Sequence, residues 1–427
     1  MKKIFLMFLS IILMILPLNA GAEDYIKKGD TLDLKQCIEI ALKKQPNIVA
    51  AMGTVNINQS RVGQAKANYY PQINWSSSYN RINPATGTLF KSGSSYDEYL
   101  SNVNLSQTIY DFEKTSTQVK IQNLNLDSSR SDLDSVASQI VFGVKQAYFG
   151  LLQAKRNRDV AVETVQQFQQ HLDQAKGFFE VGTKPKFDVT KAEVDLSNAK
   201  LNLIKVENTF RIAKVNLNNA IGMPKAQEYT IVDDFVFQKY DITLDEALKR
   251  AYITRPDLQS IIAKNEAAER TIDLQKKGYY PTLSGNANYG VSGEEFPLER
   301  GWSVGATLNF PLFSGFSTKY QVEEARSNLS VLKANEEALR QSIHLDVEQG
   351  YLNLQQASDS ITTTELTVRQ ATENLELANG RYASGVGSPI EVTDALVSLA
   401  NAKTAYIASL YDYKVAQASM EKAMGVK

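Results

Sequence analysis

Apolar residues along this chain recur at two different spacings, and the switch between them happens twice. From Leu32 to Lys44 the helical set Leu34, Cys37, Ile38, Ala41 and Leu42 predicts a short amphipathic helix that Pro46 interrupts. A second helix leads to Tyr69-Tyr70-Pro71, after which the period becomes two. Ile73, Trp75 and Tyr79 alternate with Gln72, Asn74, Ser76, Ser78 and Asn80, and, beyond a loop, Val103, Leu105 and Ile109 alternate with Asn102, Asn104, Ser106 and Thr108. Helical spacing then resumes over Glu113 to Glu180, turns at Val181-Gly182-Thr183, and returns with Val189, Ala192, Leu196, Ala199, Leu203, Val206, Phe210, Ala213, Leu217 and Ala220 in strict 3-4 order. That return helix carries a heptad seam with one large and one small position, which suits close helix approach.

The same succession then begins again. Leu244 to Thr254 is broken by Pro256, Tyr279-Tyr280-Pro281 opens a second hairpin, and Leu283, Ala287, Tyr289 and Val291 face Trp302, Val304, Ala306, Leu308, Phe310 and Leu312. A long helix over Thr318 to Ala383 follows, then the turn Gly385-Val386-Gly387. The second seam is Val392, Ala395, Leu399, Ala402, Tyr406, Ser409, Tyr413, Ala416, Met420 and Ala423. Tyr69 to Tyr279 is an offset of 210, and Gly182 to Gly385 one of 203, so one loop of the first copy is seven residues longer. The chain is a tandem repeat of about 200 residues per unit. The first unit spans 23–223, with its hairpin at about 71–110 and its helical turn at about 181–186. A linker covers 224–241 and is expected to pack around the middle of the helices. The second unit spans 242–427, with hairpin and turn at about 281–312 and 384–389. Ser388 with Glu391 reads as a capping box, with Pro389 at the first helical position.

Strands of about ten residues with one apolar and one small polar face fit the wall of a membrane β-barrel. A soluble sandwich gives the same alternation, and the aromatics separate the two. Tyr69, Tyr70, Tyr279 and Tyr280 enter the strands and Tyr110, Phe112, Phe313 and Phe316 leave them, all at one end of the hairpins, as an interfacial girdle requires. Four strands cannot close in lipid, where open edges are not tolerated. Three copies supply twelve strands, enough to enclose a lumen. The fold class expected is a long antiparallel α-helical coiled-coil barrel with four β-strands per chain in a trimeric, 12-stranded β-barrel.

Composition narrows the setting. Lys2-Lys3, the apolar run Ile4 to Leu18 and Ala20-Gly21-Ala22 read as a secretory signal peptide over 1–22, an N-terminal membrane anchor being the alternative. Its removal takes the net charge from −1 to −3, which does not suggest a nucleic-acid partner. The lone Cys37 falls in a helical pattern and reads as a buried thiol. The two histidines, His171 and His344, lie on long amphipathic helices as surface or seam residues. No metal-spaced cluster or nucleophile motif is visible, so neither cofactor, metal nor enzyme activity is expected.

In this order, signal segment, helix, Tyr-Tyr-Pro hairpin, long helix, Val-Gly-Thr turn and heptad helix, twice over, the chain resembles the TolC family of outer-membrane efflux proteins from about Leu32 to Val426. Leu105-Ser106-Gln107-Thr108-Ile109-Tyr110-Asp111, Pro311-Leu312-Phe313-Ser314-Gly315 and the two turns carry the likeness most specifically. The resemblance implies a homotrimeric, passive exit duct in outer-membrane lipid with a helical tunnel in the periplasm. It would be fed by a periplasmic adaptor and an inner-membrane transporter of an efflux pump or type I secretion system. It implies that the turns Val181, Gly182, Thr183, Gly385, Val386 and Gly387 meet the adaptor. Tyr69, Tyr70, Pro71, Tyr279, Tyr280, Pro281 and Pro311 would mark the barrel-helix junction.

Just inside the turns lie Asp188, Glu391 and Asp394, nine carboxylates in a trimer. Such a group would favour cations and bind divalent ions. Acids are also favoured in a helix's first turn by the macrodipole alone. Family members hold the entrance closed by side-chain links; Tyr382 and Asp188 match one such pair. Another uses a basic residue two positions after the turn glycine, where this chain has Gly387. The competing classes are a periplasmic adaptor and a coiled-coil structural protein without a pore. An adaptor carries one hairpin rather than two, and a plain coiled coil leaves the four strands unexplained.

Overall fold

The structure, a computed structural model, describes residues 26–83 and 95–426; the signal segment and most of the first hairpin's loop lie outside the described residues. Each repeat begins with two helices: α1 (Leu34–Lys44) and α2 (Pro46–Lys66) in the first, α5 (Leu244–Thr254) and α6 (Pro256–Lys276) in the second. Proline takes the first position of α2 and of α6, where a missing N–H costs nothing. Both α1 and α5 start with a reciprocal capping box, Asp33 with Gln36 and Thr243 with Glu246. The first helix therefore starts at Leu34 rather than Leu32, because Asp33 is its cap. Leu32 belongs to β1 (Thr31–Leu32), which pairs in parallel with β4 (Thr230–Ile231) of the linker.

The hairpins are β2 (Gln72–Ile82) with β3 (Tyr96–Tyr110) and β5 (Thr282–Gly293) with β6 (Glu299–Asn309). They join through β3 and β5 into one antiparallel sheet of order β2-β3-β5-β6. Register aligns its rows by chemistry. Ile73, Leu105, Ala287 and Val304 form one row and Trp75, Val103, Tyr289 and Trp302 another. The intervening row on the opposite face is Asn74, Asn104, Asn288 and Ser303. Trp75, Trp302 and Val304 are exposed in the single chain, so one face of the sheet is apolar and uncovered while the other is small and polar.

Two 67-residue helices, α3 (Lys114–Glu180) and α7 (Ser317–Ala383), each return through a 35-residue helix, α4 (Lys186–Ala220) and α8 (Pro389–Ala423). At 1.5 Å per residue the long helices extend about 100 Å. The seams face inward as the heptads predict: Ala192, Leu196 and Ala199 of α4 are buried, as are Val392, Ala395, Leu399, Ala402 and Tyr413 of α8. The repeats are not packed alike. Besides its partner α7, α8 packs along α3, whereas α4 packs on α3.

One core lies at mid-length and gathers both repeats with the linker. Tyr148 of α3 donates its hydroxyl to Val232 O, and Phe149 stacks on Phe235. The Tyr413 hydroxyl accepts from Tyr240 N and donates to Gln238 O. Cys37 is buried there, and burial, then the charge of Asp33, pushes its thiol up to about 12. No helix among the described residues is long and apolar enough to cross a membrane.

Candidate functional site

A second core sits next to the helical turns and is built from all four long helices. Phe168, Leu172 and Ala175 of α3, Ala192 and Leu196 of α4, Ala378 and Tyr382 of α7 and Ala395 and Leu396 of α8 meet there. The alanines allow the backbones to approach, which brings the two hairpin turns side by side. Gly182 and Gly385 take the left-handed conformation, at φ +74° and +79°, which ends each long helix. In the first turn Thr183 N donates to Phe178 O; in the second, Val386 N and Gly387 N donate to Arg381 O. Val181 and Val386, at the turns, are exposed.

The three predicted acids occupy different environments. Asp188, in the first turn of α4, is buried between the hairpins. Glu391, in the first turn of α8, is exposed and bonds Arg381 Nε at 3.0 Å. That hydrogen bond holds its carboxyl below the usual range. Because Glu391 turns to Arg381, it does not complete a capping box: the Ser388 hydroxyl accepts from Ile390 N instead. Asp394 is exposed and, among the described residues, makes no ion pair.

Tyr382 is completely buried, and its hydroxyl has no hydrogen-bond partner. Its ring lies against His171 (5.2 Å between centroids) and Phe178 (5.5 Å, edge-on). Burial, then the charge of Asp188, raises its phenol above the ordinary value. Tyr382 and Asp188 are thus electrostatic neighbours without being hydrogen-bonded. His171, read from the sequence as a surface or seam residue, is a buried seam residue; its Nδ1 also lacks a partner, and burial lowers its pKa against the pull of Asp195 and Asp188. His344 is exposed, 3.6 Å from Glu348. Beside this core, Thr393 of α8 donates to Asp195 of α4 at 3.0 Å, and Lys191 pairs with the same carboxylate.

Sequence reasoning did not single out Lys184 or Arg381. Arg381 and Glu391 meet only because the turn folds one helix back on the other. Lys184 had a legible signal: it is the repeat counterpart of Gly387, at the offset of 203.

At the other end of the helices, Tyr280 of the predicted junction meets aromatics that leave the strands. Phe112 stacks on Tyr280 at 5.3 Å, Tyr110 meets Phe112 edge-on, and Phe313 meets Phe316 edge-on. Phe112 and Glu113 in one repeat, Gly315 and Phe316 in the other, adopt positive φ where the chain passes from strand to helix. Two lysines tie the repeats here: Lys277 reaches Glu113 and Thr117, and Lys114 reaches Tyr280 O and Thr282 Oγ1. Among the described residues no group of His, Cys, Asp and Glu could hold a metal ion.

A duplicated hairpin with a junction of aromatics at one end and paired helical turns at the other matches a known family model, that of the outer membrane efflux proteins. The match covers residues 37–223 and again 247–426, one span per repeat. The chain belongs to this family. It is 22% identical over 417 residues to outer membrane protein TolC of Escherichia coli K12, covering 92% of this chain and 82% of that protein. It is 23% identical over 416 residues to the alkaline protease secretion protein AprF of Pseudomonas aeruginosa, covering 92% and 85%. Its fold superposes on the Campylobacter jejuni CmeC outer membrane channel with a TM-score of 0.80 at 18% identity, covering 92% of this chain and 85% of that one. This member of the outer membrane efflux family is an outer-membrane exit duct for efflux or secretion, with its helical part in the periplasm.

Proposed function

We propose that three copies close into a single conduit, twelve strands in the outer membrane and twelve long or return helices below. One observation carries this reading. Among the described residues α8 packs along α3, whereas the repeat-equivalent pair, α4 and α7, makes no comparable contact. Ile407 of α8 is 6% exposed, while its counterpart Ile204 of α4 is 64% exposed. Packing α4 of one chain on α7 of the next repeats the internal contact and continues around a ring. The sheet supports the same closure, since β2 and β6 are free edges that an antiparallel neighbour would satisfy.

In this conduit the duct is passive. An inner-membrane transporter supplies substrate, and a periplasmic adaptor grips the turns at Val181, Gly182, Thr183, Gly385, Val386 and Gly387. Glu391 and Asp394 line the narrow entrance, with Asp188 behind them, and favour cations. Tyr382, packed on His171 and Phe178 beside the charge of Asp188, holds the two hairpins of each chain together in the closed state. Single-channel recording in planar bilayers tests the reading. Small cation-selective currents that divalent ions block, with block relieved in Glu391→Ala/Asp394→Ala, support it. A correctly assembled trimer that does not conduct refutes it.

A further inference from the structure

Resting on the exit-duct reading, we infer that Lys184 is a positioning residue that clips the first hairpin turn onto the second and keeps the entrance narrow. From Phe179 to Phe187 every residue is exposed except Lys184, which is partly buried. Its ammonium group makes no ion pair among the described residues. It donates to Gly387 O at 3.4 Å and lies 5.5 Å from the centre of the Tyr382 ring. A lysine that leaves water for a carbonyl and an aromatic face is placed there by the fold; the cation–π contact makes up for part of the lost hydration.

The receiving surface is rigid. A Cβ on Gly387 would lie 2.8 Å from Tyr382 N and 2.9 Å from Arg381 C, so residue 387 is pressed against the backbone that carries Tyr382. Gly387 N is also bonded to Arg381 O at 2.9 Å. Lys184 therefore holds the ring and its backbone platform together. Lys184 and Gly387 are equivalent positions of the two repeats, so the turns meet through unlike residues: a basic side chain on the first and a bare backbone carbonyl on the second. Tyr382 and its counterpart Phe179 show the same asymmetry, the first enclosed and the second exposed.

The test compares full-length wild type, Lys184→Met, Lys184→Arg and Lys186→Met, the last removing an equal charge from an exposed site two residues away. Hydrogen exchange in detergent is read over 178–190 and 380–390, and single-channel conductance in bilayers. Lys184→Met is expected to speed exchange in both turns on the order of fivefold and to enlarge the current, given typical cation–π and hydrogen-bond strengths. Lys184→Arg should restore wild-type behaviour, and Lys186→Met should leave it unchanged. Unaltered exchange and conductance in Lys184→Met overturn the clip, as does an equal effect in Lys186→Met, which would make the effect one of charge alone. If wild type itself conducts no current, the duct reading fails, while the exchange data still decide whether Lys184 joins the turns.

Discussion

At the scale of residues, the entrance acids are not interchangeable. Glu391 spends its charge on Arg381, whereas Asp394 faces solvent without an ion pair among the described residues. Divalent block of the channel should therefore weaken more in Asp394→Ala than in Glu391→Ala, measured as the blocking concentration in bilayer recordings; equal loss would show that Arg381 releases Glu391 in the assembled entrance. His171 gives a second expectation. Its folded pKa lies below the unfolded value of 6.5, chiefly through burial, with Asp195 and Asp188 opposing and Lys191 assisting. The unfolded segment then binds more protons than the folded one, so stability falls as pH drops through about 6.5 and is unaffected above it. Protection over 165–175 and 380–390, taken relative to the intrinsic amide exchange rate at each pH, should fall between pH 7 and pH 5 in wild type and not in His171→Phe, whose ring keeps the packing against Tyr382.

Among elements, the linker shows best what packing adds to pattern. Residues 224–241 carry no period of their own, yet Tyr229, Ile231 and Phe235 are buried in the mid-length core, and Tyr413 of α8 holds two backbone groups of the segment. Tyr413→Phe leaves the ring in contact with Phe237 but strands Tyr240 N–H and Gln238 C=O. It should cost about 1–3 kcal/mol, seen as faster exchange over 234–242 with the hairpin turns unaffected. The long helices, the seams and the four strands were legible because each repeats one spacing for many residues, and the duplication checked every assignment. What was not legible depends on chain reversal: the β1-β4 pair joins residues about 200 apart, and Glu391 looked like a capping partner until the turn brought Arg381 to it. Burial of Asp188 and His171 had the same source, since a residue's face on a helix is visible in sequence but the helix that covers it is not.

For the whole molecule, the decisive question is whether the bare surfaces of α4 and α7 are an interface. If each chain repeats its internal α3–α8 contact with its neighbour, a charge placed on either surface should act on assembly alone. Ile204→Asp buries one unpaired carboxylate in each of the ring's contacts. Removing one partner's fit in that way costs on the order of 3 kcal/mol per contact. Ile204 is 64% exposed among the described residues, so the fold of each protomer should survive. The expected result is a detergent-solubilised monomer by light scattering, with wild-type helix content by circular dichroism. The counterpart substitution Ile407→Asp places the same carboxylate in the internal contact and should lose helix content as well as assembly. A trimer from Ile204→Asp would mean that α4 faces lumen or solvent rather than α7, and the ring would have to close through the strand edges alone. Loss of helix content in both variants would mean that the protomer does not hold its fold outside the ring, making assembly and folding one step.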